Sequence, residues 1–224
     1  MRRLILLLAL LLPATAFAAP PPTPSQLCDA AIVGAEGALG LPARLLGAIA
    51  EVESGRPDNS GVIRPWPWTI NAEGRGQFFA SKQQAIDAVR SLQAQGVRSI
   101  DVGCMQINLL HHPNAFASLD EAFDPTANAR YAARFLNTLY GMSQSWLQAA
   151  AAYHSQTPAI GAEYGQRVAA RWRMPMPATA FPAAQTAYRA FAPNKPIYGA
   201  FQASDHVYGA FNEPSALPTW LAHR

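Results

Sequence analysis

Glu53 is the acid in this chain whose own helix carries it onto an apolar face. The run Leu41-Pro42-Ala43-Arg44-Leu45-Leu46-Gly47-Ala48-Ile49-Ala50-Glu51-Val52-Glu53-Ser54-Gly55 predicts one helix, with Pro42 in its first turn and Gly55 just past its end. At about 100° per residue Glu53 shares a face with Leu46 and Ile49, while Glu51 turns to the opposite, polar side. A carboxyl at the end of an apolar stripe loses hydration, so its pKa should rise into the range of a general acid. Glu51 is expected to be an ordinary solvated acid. A helix-end acid with no chemical task is the competing reading of Glu53. Proton donation of this kind is what cleavage of a glycosidic bond requires, usually with a second carboxylate as nucleophile or base. No convincing second acid stands out. Asp58 lies in the loop after Glu53 and Asp101 lies just before a Met-Gln pair; either can be near in space, and neither has a motif behind it.

Three further segments add polar and aromatic groups that fit such a site: Ser99-Ile100-Asp101-Val102-Gly103-Cys104-Met105-Gln106-Ile107-Asn108, then Ala151-Ala152-Tyr153-His154, then Tyr164 with Val168. The order Glu-Ser, Gly-x-Met-Gln-Ile-Asn, Ala-Ala-Tyr and Tyr-x-x-x-Val resembles family 1 lytic transglycosylases, whose domain has the goose-type lysozyme fold, and among them the specialised transglycosylases of secretion and flagellar systems. Asn128 with Phe135-Leu136 is similar to that family's Asn-rich helix ending in an aromatic-Leu pair. The resemblance covers residues 25 to 172. Each block is weak alone; four in order on plausible elements are specific.

The resemblance implies that Glu53 is the catalytic acid and then base, and that peptidoglycan is the substrate. The substrate's own C6 hydroxyl would close a 1,6-anhydro ring on the muramic acid sugar, with help from its N-acetyl group and without a protein nucleophile or a cofactor. It also implies substrate contacts for Ser54, Met105, Gln106, Tyr153, His154 and Tyr164. Read from the residues, Ser54 can equally be a helix-terminal hydroxyl, and Met105 can be plain core. Gln106 suits a groove, because a buried amide without partners is costly. Tyr153 can orient the Glu53 carboxyl through its hydroxyl or pack its ring inward. Trp66 and Trp68 can stack on sugars or pack within a hairpin. The family's Tyr-Asn-Ala-Gly is here Tyr153-His154-Ser155-Gln156, which replaces an amide near the sugar by an imidazole. His111-His112 read as a loop, since adjacent residues do not share a helix face.

The elements that must position these groups predict a mainly α, lysozyme-like α+β domain: a single helical domain over 19–173 with a small β-hairpin lobe. Thr23 can cap and Pro24 open a first helix. The Pro/Trp/Gly-rich stretch from Arg64 to Phe79 reads as the hairpin. Ser81 and Gln84 form a capping box for a helix that ends at Gly96. Asp124-Pro125 opens a helix bearing Tyr131, Phe135, Leu139 and Tyr140. Ser143 is expected to cap the next one, with Trp146 and Tyr153. Ile160, Tyr164, Val168 and Trp172 mark the last.

Around this domain lie two segments of different composition. Arg2 and Arg3 precede the apolar run Leu4–Leu12, and Ala16-Phe17-Ala18 offers a small-x-small cleavage site. Residues 1–18 therefore read as a signal peptide, giving a periplasmic or secreted protein. Without Arg2 and Arg3 the 17 basic residues fall to 15 against 14 acids, a net +1, which excludes the electrostatic footprint of a nucleic-acid binder. The two cysteines, Cys28 and Cys104, would pair in an oxidising compartment; two buried free thiols are the alternative. No zinc-ligand spacing is present, and the expected state is a monomer without metal. Residues 174–224 are poor in charge and rich in Pro and Ala. Tyr188–Phe191, Tyr198–Phe201 and Tyr208–Phe211 recur at a ten-residue step, so this stretch reads as a flexible, low-complexity tail whose aromatics can meet a secretion or flagellar component. The function expected is a peptidoglycan lytic transglycosylase of cell-wall remodelling. The alternatives are a hydrolytic muramidase on the same fold and an envelope-machinery assembly factor with secondary catalysis.

Overall fold

A computed structural model describes residues 19–173; the expected signal peptide and the aromatic tail lie outside the described residues. Seven helices and six short strands follow one another as α1(Pro24–Leu39), α2(Leu45–Glu53), β1(Gly55–Pro57), β2(Ile63–Pro65), β3(Thr69–Ala72), β4(Arg75–Phe78), α3(Lys82–Ala94), β5(Ile100–Val102), β6(Ile107–Asn108), α4(Leu119–Ala122), α5(Pro125–Ser143), α6(Trp146–His154) and α7(Pro158–Trp172). The mainly α, α+β architecture expected from the pattern is the one observed.

Local chemistry explains where most helices begin. Thr23 and Gln26 complete a capping box before α1, with Pro24 in its first turn, and Gly40 closes the helix in the left-handed region at φ 67°. Asp124 accepts from Ala127 N at 2.8 Å and opens α5. Two boundaries differ from expectation. The Ala-rich α6 is capped by Ser145. Ser143 belongs to the last turn of α5 instead, where its hydroxyl donates to the Leu139 and Ser145 carbonyls. The Glu53 helix starts at Leu45 rather than near Pro42, because Arg44 adopts φ 66° and offers no side-chain cap. The cap comes from α1: the buried Glu36 carboxylate accepts from Leu46 N at 2.7 Å, Gly47 N at 3.2 Å and Arg44 N at 3.0 Å. A carboxylate on the first turn's N–H groups also meets the positive end of the helix dipole.

Helix α2 runs through the middle of the larger core. Leu45, Leu46, Ala48 and Ile49 are fully buried among Leu136 and Leu139 of α5, Ala149 and Ala150 of α6 and Tyr164 and Val168 of α7. A second, smaller core lies under the β lobe, built from Ile70, Ala85, Val89, Ile100, Val102 and Phe123. The lobe is larger than the expected hairpin. Antiparallel strands run in the order β4-β3-β5-β6, so the Ile100–Asn108 segment extends the β3–β4 hairpin into a sheet. Asp101 faces Asn71 on one side and Asn108 on the other.

The junction between the two cores is fixed at one glycine. At Gly55 a Cβ would run into the Glu51 carbonyl oxygen and stand 2.6 Å from Ile63 Cγ2. Only glycine lets the chain leave α2 directly into β1. The turn after β5 is tied covalently into the larger core: Cys28 on α1 and Cys104, both buried there, form a disulfide across a sequence separation of 76, the pairing expected from the sequence.

Candidate active site

The last residue of α2 is Glu53, which the helix carries inward as the apolar stripe predicts: it is 3% exposed. Tyr164, fully buried on α7, donates its hydroxyl to Glu53 Oε1 at 2.6 Å. Oε2 accepts no hydrogen bond from the described residues and is not sealed from solvent. Burial pushes this carboxyl well above the ordinary Glu range. The Tyr164 hydrogen bond opposes that rise, the charge of Asp101 adds to it, and Arg167 weakly counters it. The balance favours the protonated form of Glu53, which presents one free oxygen.

Glu53 opens on a recess that Asp101, Gln106, Asn108, Tyr153 and His154 also line, with Ile107, His111, His112 and Phe135 completing the wall. Asp101 is 6% exposed, and burial raises its carboxyl to about 7, against a lowering hydrogen bond from Asn108. The two acids come from different elements: one from the end of a helix, the other from the middle of a three-residue strand. The other acid weighed for a second role is excluded by its place. Asp58 receives the Ser60 hydroxyl and backbone N–H, Val62 N and the Arg64 guanidinium. These hold its carboxyl down at about 2, so it is a turn-forming residue outside the recess.

The turn after β5 is built for close approach. Gly103 sits at φ 81°, and a Cβ there would stand 2.6 Å from Asn128 Nδ2. Buried Asn128 of α5 uses its whole amide: Nδ2 donates to the Val102 and Ala122 carbonyls at 3.0 Å, and Oδ1 accepts from Met105 N at 2.9 Å. Gln106 follows at φ 48°, an unusual conformation for a non-glycine residue that only its surroundings can enforce. Its Nε2 donates to the Thr69 and Gly103 carbonyls, while Oε1 has no partner among the described residues.

The tyrosines exchange the roles the sequence suggests. Tyr153 lines the recess but spends its hydroxyl on the Met105 carbonyl at 2.8 Å. Tyr164 is the residue that orients Glu53. His154 stacks flat on the Tyr164 ring, with centroids 4.5 Å apart and planes 2° from parallel. Burial, and secondarily the charge of Arg167, lower His154 to about 4, so its imidazole is neutral beside the acid.

Ser54 and Met105 are fully buried and lie behind the site. The Ser54 hydroxyl donates to the Cys104 carbonyl at 2.6 Å, locking the end of α2 to the Met-Gln turn, and Met105 packs in the helical core. Trp66 packs within the lobe: its ring meets Trp68 edge-on at 6.0 Å, lies 3.9 Å under the Arg56 guanidinium and donates Nε1 to the Phe79 carbonyl. The His111-His112 loop forms part of the wall, and His112 Nδ1 lies 2.8 Å from the Tyr131 hydroxyl. Asn108 is a site residue that the sequence reading passed over. The only available signal was its place in the Met-Gln-Ile-Asn block.

This arrangement offers a buried acid whose surroundings favour its protonated form, a second buried acid carried on a strand, a neutral imidazole, and amide and hydroxyl groups in the wall. It fits proton donation to an oxygen of a polar, neutral polymer. Residues 31–170 match the family model described as the Transglycosylase SLT domain. No curated protein and no solved structure matches the chain.

Proposed function

This chain belongs to the transglycosylase SLT domain family, whose members are lytic transglycosylases acting on peptidoglycan, and from that premise we propose that Glu53 donates a proton to the oxygen of the MurNAc–GlcNAc β-1,4 bond and that the cleaved strand ends in a 1,6-anhydro ring. The carboxyl of Glu53, buried, tethered by Tyr164 and open to the recess through its other oxygen, carries this reading. A positioned carboxylic acid is the group the leaving oxygen needs. Gln106, Tyr153 and His154 line the path of the glycan as contact residues, and Tyr164 acts on the substrate only through Glu53.

The reading extends to where the enzyme works. Residues 1–18 direct export, and the Cys28–Cys104 disulfide supports an oxidising compartment such as the periplasm. There the enzyme opens the wall locally for remodelling, as a monomer, with residues 174–224 recruiting it to an envelope machine. Mass spectrometry of sacculi digested with purified protein tests the reaction. Anhydro-muropeptides are the expected product; reducing ends in their place would assign a hydrolytic muramidase instead.

A further inference from the structure

Helix α1 is apolar on more sides than the domain covers. Its only charged residues are Asp29 and Glu36, and both are engaged: Asp29 meets the Arg64 guanidinium at 3.4 Å, and the Glu36 carboxylate caps α2. Cys28, Ile32 and Ala35 face the core, while Ala30, Gly34 and Ala38 are exposed. A helix without a polar face is ordinarily covered all round. Beside this exposed surface, α1, α5 and the β lobe border a groove of about 880 Å³, walled by Leu27, Ala31 and Leu39 of α1 and by Trp68 and Phe123. No residue lines both this groove and the Glu53 recess.

We propose that the groove is the docking site of the chain's own last aromatic pair, Tyr208 and Phe211. The path of the chain brings this segment within reach. Helix α7 ends at Trp172, whose Nε1 donates to the Ala43 carbonyl at 3.0 Å. Ala43 follows Leu39 by four residues, so the exit of the chain is joined to one end of the groove by no more than about 15 Å of backbone. The α1 wall from Leu27 to Leu39 adds about 18 Å. A coil of the 35 residues from Arg173 to Tyr208 has an r.m.s. span of about 30–35 Å, close to the sum of those distances. A tether matched to its span gives the highest effective concentration, so a contact of modest affinity suffices.

Charge selects among the three aromatic pairs. Arg130 and Arg134 line the groove from α5, exposed and one helical turn apart. Among the described residues no carboxylate pairs with either guanidinium. The remaining cation, Lys82, pairs with Asp120 at 2.9 Å, and the one acid of the lining, Asp124, caps α5. This rim attracts an acidic segment and repels a basic one. Asp205 and Glu213 flank Tyr208 and Phe211, whereas Arg189 lies inside the Tyr188–Phe191 pair and Lys195 stands just before Tyr198. The rings suit the walls as well: the apolar floor takes ring faces, Trp68 offers an edge contact, and guanidinium groups pack over aromatic faces. The first two pairs stay available to an envelope component.

The test uses the full mature chain with a photo-crosslinking phenylalanine analogue in place of Phe211, irradiated at low protein concentration and mapped by peptide mass spectrometry. Cross-links should form within one chain and fall on residues 27–39, Trp68 or Phe123. The same analogue in place of Phe191 should give little of that product. Gly34 offers a block that leaves the fold intact, because a Cβ there meets nothing within 4 Å and a non-glycine residue favours the helix. Gly34→Gln should fill the groove and abolish most of the cross-link. Gly37→Gln, equally open but outside the groove, should leave it unchanged. Arg130→Glu with Arg134→Glu should lower the yield roughly fivefold, the worth of two exposed ion pairs, and adding Asp205→Arg with Glu213→Arg should restore it. Cross-links scattered over the surface, or unmoved by Gly34→Gln, would overturn the proposal. Equal yields from positions 191 and 211 would overturn the choice of the last pair, and cross-links found only between chains would give the groove to a second copy.

Discussion

The two acids of the recess sit on unlike scaffolds. Glu53 closes a nine-residue helix inside the main core and is held by one tyrosine from a neighbouring helix. Asp101 lies in a three-residue strand whose residues are all buried, and it is held by an asparagine across the ladder. Both lose water and both rise in pKa, but they rise by different routes. Burial of Glu53 is aided by the negative charge of Asp101. Asp101 is raised by burial alone and restrained by its amide donor. In each, burial is opposed by one neutral donor, a tyrosine hydroxyl for Glu53 and an asparagine amide for Asp101.

The largest effect should follow from breaking the helical side. Glu53→Gln keeps the shape but cannot supply the proton, so cleavage of sacculi should fall at least about 10³-fold. The same substitution should raise stability at alkaline pH. The folded pKa of Glu53 lies above its unfolded value, so the folded state holds the proton more tightly than the unfolded chain. That preference destabilises the fold progressively as pH rises from about 4.5 through the folded pKa. Gln removes the dependence. Thermal melts at pH 5 and pH 8 should therefore show the variant gaining on wild type as pH increases; near-normal turnover would sink the assignment of the acid.

The disulfide ties the turn after β5 to α1, and its loss should come next. Closing a loop of roughly 75 residues stabilises by about 4 kcal/mol in the chain-entropy view. Replacing Cys28 and Cys104 with Ser should lower the melting temperature by roughly 10 °C. Because Cys104 sits in the turn that carries Gln106, the loss should also loosen the strand-borne half more than the Glu53 half. Hydrogen exchange in Ile100–Asn108 should rise before that in α2. Two free thiols in denatured, unreduced protein would contradict the bond outright.

How much of this was legible in the sequence differs between the halves in the same way. A helix announces its inner face through a 3.6-residue period, so the burial of Glu53 and the direction of its pKa were readable from Leu46 and Ile49. Caps carried their own signatures at Thr23, Ser81 and Asp124. A three-residue strand has no period to read. Ile100, Asp101 and Val102 are all buried, and nothing local distinguishes a recess carboxylate from a turn acid such as Asp58. The exchange between Tyr153 and Tyr164 was invisible for another reason. Tyr164 belongs to α7, which packs on α2, and Tyr153 to α6, which packs on α7, so which hydroxyl reaches Glu53 depends on the packing of α6 against α7. The start of α2 was misjudged because its cap, Glu36, comes from a different helix.

A smaller effect tests the tether. Tyr164→Phe removes the donor that lowers the Glu53 pKa while keeping the ring on which His154 stacks. Glu53 should then stay protonated to higher pH, moving the alkaline limb of the rate profile upward. The untethered carboxyl should lose about tenfold in turnover and stability should fall by about 1 kcal/mol. Tyr153→Phe leaves the Met105 carbonyl unpaired but does not touch Glu53, so its limb should not move. If Tyr153→Phe moved the limb and Tyr164→Phe did not, the roles drawn from the hydrogen bonds would be reversed.

The smallest effect should come from Glu51, two residues before Glu53 on the same helix. It is not the freely solvated acid its polar face predicts. Its side chain is 24% exposed and lies 3.9 Å from the Arg44 guanidinium, and partial burial raises its carboxyl despite the nearby Arg171 and Arg44. The direction of the shift is therefore the same as for Glu53 and Asp101. What Glu51 lacks is a place on the recess and a neutral partner to aim it. Glu51→Gln should leave turnover and its pH dependence unchanged and alter stability by no more than about 0.5 kcal/mol, since a half-exposed, loosely spaced ion pair contributes little. A loss of activity there would mean that desolvation alone marks the working acids of this helix. An unchanged rate would place the distinction where the geometry puts it, in access to the glycan and in the hydrogen bond that holds the carboxyl.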